Sequence, residues 1–313
     1  MSDIEAVTRA EQQPGPEQPV GQPLDRRDKP RSLAGDAWND LRHNKIFWVA
    51  AVLVVIVLVM AAFPSLFTHA DPRSCSLSRQ HHGPTGSAFF GYDFQGCDVY
   101  ARTIYGARNS IVVGILATLT SGVIGLIFGL SAGYFGGWLD ALLSRFIDIV
   151  LGVPFLLAAI VLANRLSKDP QNSGIVAVTL TLGFLGWTTA ARIMRSSVIA
   201  AKNQDYVAAA RMLGAGPARL MMRHVLPNSI ASFIVVLTIL LGVNIATEAT
   251  LSFLGVGLKG DAISWGIAIS EAGPYVRVAA APLIWPSVFL ALTVLAFIML
   301  GDAVRDAFDP KLR

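Results

Sequence analysis

Few side chains in this sequence could do chemistry, and the foremost are carboxylates set among apolar neighbours. Asp148, Glu248 and Asp302 lie in or beside long hydrophobic runs. An ionisable group inside a bilayer costs roughly 2.5–3.5 kcal/mol on insertion scales, so each should face protein or water. Glu248, in IATEATLSF, is the deepest of the three and the candidate for a contact in a transport pathway or gate. Its other reading is a hydrogen bond between helices, a common use of intramembrane polar groups. Arg145 precedes Asp148 at a spacing that allows pairing on one helix face.

Other candidate chemistry is thinner. His81 and His82 are adjacent but lack further ligands at supporting spacing, so they read as loop residues and not as a metal site. The sequence has no H-E-x-x-H and no G-x-S-x-G, which leaves a membrane-embedded hydrolase unsupported. It also has no G-x-x-x-x-G-K-[ST] phosphate loop, so the chain is not expected to hydrolyse ATP itself. Asp98 and Arg102 stand at i, i+4 and can pair, and Gly91 and Gly96 permit tight turns nearby.

The elements that must position these residues are membrane spans. Only 15% of residues are charged and 53% are hydrophobic, with a mean hydropathy of +0.55, against roughly 25% charged in a soluble domain. Runs of about 20 apolar residues can cross the hydrocarbon core, and six are read: 46–67, 109–133, 141–163, 174–194, 229–254 and 282–302. The second and fifth are interrupted by Gly and Thr, as helices packed on other helices tend to be. The expectation is an all-α membrane protein with six transmembrane helices.

Lys and Arg set the orientation. Of the 25, sixteen fall on the N-terminal side of the membrane and eight on the other, with Arg145 interfacial. Both termini and the 195–228 loop are therefore expected in the cytoplasm. The net charge of +4 reflects this topology and not nucleic-acid binding. The first run starts too late and is too long for a cleaved signal peptide, so it reads as a retained helix. Cys75 and Cys97 then share the external loop 68–108, where a disulfide fits an oxidising compartment and two unpaired thiols are the alternative.

Residues 1–31 carry five prolines among Gln, Glu and Arg and read as a disordered cytoplasmic tail. Ser32 is the expected N-cap of an interfacial amphipathic helix over 32–45, with Trp38 as its anchor to lipid; a continuation of the first span is the other reading. The transmembrane core covers 109–302, followed by a cytoplasmic end at 303–313.

Between two spans lies YVAAARMLGAGPARLMMRHVLPN, residues 206–228. Asp205 is the expected N-cap of a short helix and Gly214 its stop. Tyr206, Ala210 and Leu213 fall at i, i+4 and i+7 and predict one narrow apolar stripe, while Ala208, Ala209 and Ala210 keep the helix slim. Gly216-Pro217 restarts a helix, and Leu226-Pro227 introduces the fifth span. A slim, capped helix lying along the membrane suits a cleft on a cytoplasmic partner; a connector resting on lipid is the bland alternative.

This pattern resembles the EAA motif of ABC importer permeases: Ala208-Ala209-Ala210, Gly214, His224, Leu226 and Pro227 stand at its spacing, with Ala208 where the motif has Glu. GYDFQGCDVYARTIYGAR, ATEATLSFLGVG, SWGIAISEA and GDAVRDAFDPKLR resemble segments of the second ("C") permease of the dipeptide/oligopeptide/nickel importers, Cys97 replacing an Arg. The resemblance covers roughly 32–313 and implies a type I importer permease fold and half of a pathway for peptides. It implies a second homologous permease, two ABC ATPase subunits or one fused ATPase, an external substrate-binding protein and surrounding lipid. ATP and Mg would sit on the ATPases, with no cofactor on this chain. The coupling helix would be about Tyr206–Gly214, and the ATPase-coupling residues Tyr206, Ala208, Ala209, Ala210, Gly214, Leu226 and Pro227. The alternative function is an ion-coupled secondary transporter using Glu248, which would need inverted repeats that are not apparent.

Overall fold

The computed structural model describes residues 33–167 and 174–308, and these are helical with no strand. The expected tail, the Ser32 cap and the last five residues lie outside them. Helix α1, Leu33–His43, is separate from α2, Lys45–Ala62, because Asn44 caps the second: its side chain accepts from the Ile46 and Phe47 amides at 2.8 and 3.3 Å. Leu41 of α1 packs against Ala303 and Ala307 at the far end of the chain.

Helix α3, Val99–Phe135, starts well before its apolar run because Asp98 caps it, accepting from the amides of Tyr100 and Ala101. The uniform third span expected over 141–163 is instead two half-helices, α4 (Gly137–Gly152) and α5 (Phe155–Leu166), meeting at 88°. Pro154 has no amide to donate and disfavours a helical residue before it, so the helix stops at Gly152. Helix α6 is Ile175–Lys202 and α7, the short loop helix, is Asp205–Met212. A turn at Pro217–Arg219 and a π-turn at Leu220–Val225 lead without a break into α8, Leu226–Phe253. Helix α9, Trp265–Ala272, lies beyond it, and α10, Ala281–Phe308, closes the described chain.

Among the described residues five helices are long and apolar enough to cross a membrane, or six if the bent α4–α5 pair counts as one broken span. The tightest pairing is α3 on α6. Gly125, Gly129 and Gly133 recur every fourth residue on α3, where a Cβ would stand 2.6 Å from the Ala190 Cβ, 2.5 Å from the Ala191 carbonyl and 2.8 Å from the Arg195 carbonyl. Only glycine lets the two backbones come so close. Ser121 adds a hydrogen bond to the Gly183 carbonyl at 3.0 Å.

Polar contacts lock the loop-helix end of the bundle. Arg195 grips Asp140 with two hydrogen bonds of 2.5 and 2.7 Å, and Lys202 donates to the Gly133 carbonyl at 2.7 Å. Asp148 pairs with Arg192 across helices at 3.1 Å, which corrects the expected pairing with Arg145. Neighbours on a second helix compete with those on the same face, and one-dimensional spacing sees only the latter.

Candidate functional site

The loop joining α6 to α8 is built from its caps outward. Gln204, not Asp205, holds the cap position, with φ −81° and ψ 150°; Asp205 is the first helical residue. There its carboxylate still faces the positive end of the helix. At the other end Gly214 takes φ +85°. The Gly214 amide donates to the Arg211 carbonyl at 3.0 Å and the Ala215 amide to the Ala210 carbonyl at 3.1 Å. That pair of bonds is a Schellman ending, which needs the left-handed residue glycine provides.

The apolar stripe is not the expected one. Val207 is fully buried, in one cluster with Val198, Leu220 and Val225, and Ala210 packs beside it. Tyr206 is 41% exposed and Leu213 90% exposed. The helix is therefore rotated so that Val207 and Ala210, at i and i+3, face the chain's own core. Ala208 and Ala209 face out, and Met212 and Leu213 form a bare apolar tip beside Gly214. Leu226 packs against the same core cluster and Pro227 is exposed.

Pro227 explains the π-turn before it. Lacking an amide, it leaves the Arg223 carbonyl without its usual helical donor, and the backbone widens so that the Leu226 amide bonds to the Met221 carbonyl instead. Asn228 donates from its side chain to the His224 carbonyl at 2.7 Å, and Ser229 to Val225 at 2.9 Å. The sequence reading placed the chain entry at Leu226-Pro227 but missed that it continues an existing helix.

At the opposite end the long loop 63–98 folds back over α3 and α9. Cys75 and Cys97 form a disulfide. Gly96 takes φ +72°, and a Cβ there would collide with the Ser76 carbonyl. Asp98 serves as the helix cap, so the expected Asp98–Arg102 pair does not form. Arg102 reaches Asp93 at 2.6 Å and Glu271 of α9 at 2.9 Å. Asp93 also accepts from the amides of Gln95 and Cys97 at 2.8 and 2.9 Å. Phe90 stacks on Trp285 at 4.0 Å, and Phe94 on Tyr275 at 5.1 Å. His81 lies beside Tyr275, and no group of three metal-ligating residues occurs among the described residues.

Glu248 is fully buried. Its carboxylate accepts from Ser252 at 2.8 Å and faces protein, not an open path, in this conformation.

Comparison with known proteins is consistent along the chain. The family described as "Binding-protein-dependent transport system inner membrane component" matches residues 125–313, and "N-terminal TM domain of oligopeptide transport permease C" matches residues 32–84. The oligopeptide transport system permease protein of Bacillus subtilis (strain 168) is 36% identical over 285 residues, covering 91% of this chain and 92% of that protein. The dipeptide transport system permease protein of the same organism is 38% identical over 284 residues, covering 90% and 87%. The glutathione transport system permease protein of Escherichia coli O157:H7 is 32% identical over 292 residues, covering 93% and 95%. Among solved structures, the inward-facing methionine ABC transporter shares the fold with a TM-score of 0.55 at 19% identity, covering 66% of this chain and 96% of that chain.

Proposed function

Because this chain belongs to the binding-protein-dependent transport system inner membrane components, we propose that it is one half of a peptide import pathway and is driven through α7. It is a multi-pass inner membrane permease of an ABC importer and not an enzyme. ATP and Mg act on separate ATPase subunits. The relatives named for oligopeptide, dipeptide and glutathione transport support a peptide substrate. A second homologous permease completes the pathway, two ATPases or one fused ATPase bind below, and an external binding protein delivers the solute. Family membership leaves the ion-coupled alternative without support.

One observation carries the coupling role: an apolar tip, Met212 and Leu213 at 83% and 90% exposure, held rigidly by the Val207 anchor and the Gly214 ending. A large apolar patch exposed to water marks a docking site. Ala208 and Ala209 leave room for a partner to close on the helix backbone. With Ala208 where the motif has Glu, the fit depends on shape and apolar contact.

Leu213→Asp tests this without touching the internal packing, and Gly214→Trp adds bulk where a Cβ meets nothing within 4 Å. Membrane levels of the Leu213 variant should match wild type, while ATPase co-purification and ATP-dependent uptake of labelled peptides should fall by about tenfold or more, as for truncation of an interface hot spot. Persistence of both in the two variants would sink the coupling role.

A further inference from the structure

Glu248 is a fully buried carboxylate that the import pathway described above does not use. Its Oε1 accepts from Ser252 on the next turn of α8 at 2.8 Å, and its Oε2 has no partner among the described residues. Two further hydroxyls flank it, Ser110 of α3 and Ser264 at the N-cap of α9. Ser264 already accepts from the Ile267 amide at 3.2 Å, and Ser110 from the Trp265 amide at 3.4 Å. A hydroxyl that accepts one bond still has its own proton to give, so both are free to turn toward Glu248. One carboxyl thus stands where α3, α8 and α9 meet.

The packing around it is equally close. A Cβ on Gly266 of α9 would stand 2.6 Å from the Ala249 Cα of α8. Trp265 donates from its indole to the Thr103 carbonyl of α3 at 2.9 Å, and Asn109 of α3 donates to the Ile263 carbonyl at 2.8 Å. Residues Pro217–Phe253 form one unbroken helical rod, which starts beside the α7 loop and ends past Glu248.

We propose that Glu248 is a positioning residue that pins α9 to α8 and α3, so that displacement of the α7 loop reaches the outer face as motion of a single body. The same pin carries the reverse signal: a partner settling on α9 is felt at the α7 loop. This rests on the coupling role proposed for α7. The pin acts through shape and hydrogen bonds, which glutamine reproduces and leucine does not.

The test uses the assembled permease–ATPase complex in lipid nanodiscs and in proteoliposomes, comparing Glu248→Gln and Glu248→Leu with wild type. In hydrogen exchange, leucine should speed exchange of the α9 amides by about tenfold or more and glutamine by no more than about twofold, since local opening sets that rate. Leucine should leave ATP hydrolysis per complex near wild type while labelled-peptide uptake per complex collapses; glutamine should restore uptake. Unchanged α9 exchange in the leucine variant would overturn the pin, as would glutamine damaging uptake as much as leucine. If the leucine variant does not assemble, Ser252→Ala removes the hydroxyl that donates to Glu248 while leaving the Ser264 cap of α9 in place, and should give an intermediate rise in α9 exchange; no rise would also overturn it. Failure of the wild-type permease to bind ATPases would refute the coupling role instead, and the exchange measurements would still decide the pin.

Discussion

At the scale of single residues, burial decides which charges matter. Arg102 and Asp93 have side chains only 13% and 8% exposed, and Arg102 also holds Glu271. Removing the guanidinium strands a carboxylate in a protein interior. Arg102→Met should therefore cost about 3 kcal/mol, read as a fall in the unfolding midpoint of the purified protein in detergent. Arg192 and Asp148 are more than half exposed, so Arg192→Ala should cost under about 1 kcal/mol in the same assay. Asp98 joins capping to titration. Burial pushes its carboxyl above the usual range, against the amides of Ala101 and Tyr100 and the charge of Arg79, which lower it. The folded chain holds this proton more tightly than the unfolded one. Its contribution to stability is full below the ordinary carboxylate pKa and is lost as pH rises through the raised value. Neither Asp98→Asn nor Asp98→Ala can titrate, so both should flatten that decline, with Asp98→Ala about 1 kcal/mol below Asp98→Asn at every pH because it also loses the capping oxygen. Unfolding midpoints from acidic to neutral pH separate the two.

At the scale of elements, glycine spacing and proline placement set the geometry. The α3–α6 pair depends on Gly125, Gly129 and Gly133, because each faces backbone or Cβ atoms of α6 at distances no side chain tolerates. Backbone cannot move aside as a flexible side chain can. Gly129→Leu should cost about 3 kcal/mol or more, seen as loss of folded protein in membranes by monodispersity on gel filtration. Gly273→Ala, where a Cβ meets nothing within 4 Å, is the control that should behave as wild type. The rod through α8 survives a mid-helix proline because the backbone widens into a π-turn before Pro227 and the Asn228 side chain caps the His224 carbonyl.

At the scale of the whole molecule, the break between α4 and α5 constrains the assembly. Leu151 to Leu157 are exposed on this chain, and Val153-Pro154 is non-helical backbone in the middle of a span. Irregular backbone at membrane depth persists only where protein covers it or water reaches it. In the proposed two-permease assembly, water at this break is the expectation that labelling tests. A cysteine at Val153 should accordingly react with a membrane-impermeant thiol reagent in proteoliposomes, the native cysteines being held in their disulfide. A cysteine at Val55, exposed on the apolar face of α2, should not react. Equal labelling at both positions would refute a wet path at the break.

The sequence by itself determined the class, the approximate places of most spans and the place of the ordered loop between α6 and α8. Each depends on composition summed over about 20 residues or on caps and turns that act within one turn of helix. Gly214 and the Gly91 and Gly96 turns were legible for the same local reason. Only the tertiary structure decided which residue a charge meets: Arg102 with Asp93 and Glu271, Asp148 with Arg192; it set Glu248 between Ser110 of α3 and Ser264 at the start of α9. It also turned α7 so that Val207 and not Tyr206 faces inward. Partners far apart in sequence compete with neighbours on the same helix face, and the winner is fixed by packing distances that no spacing rule contains.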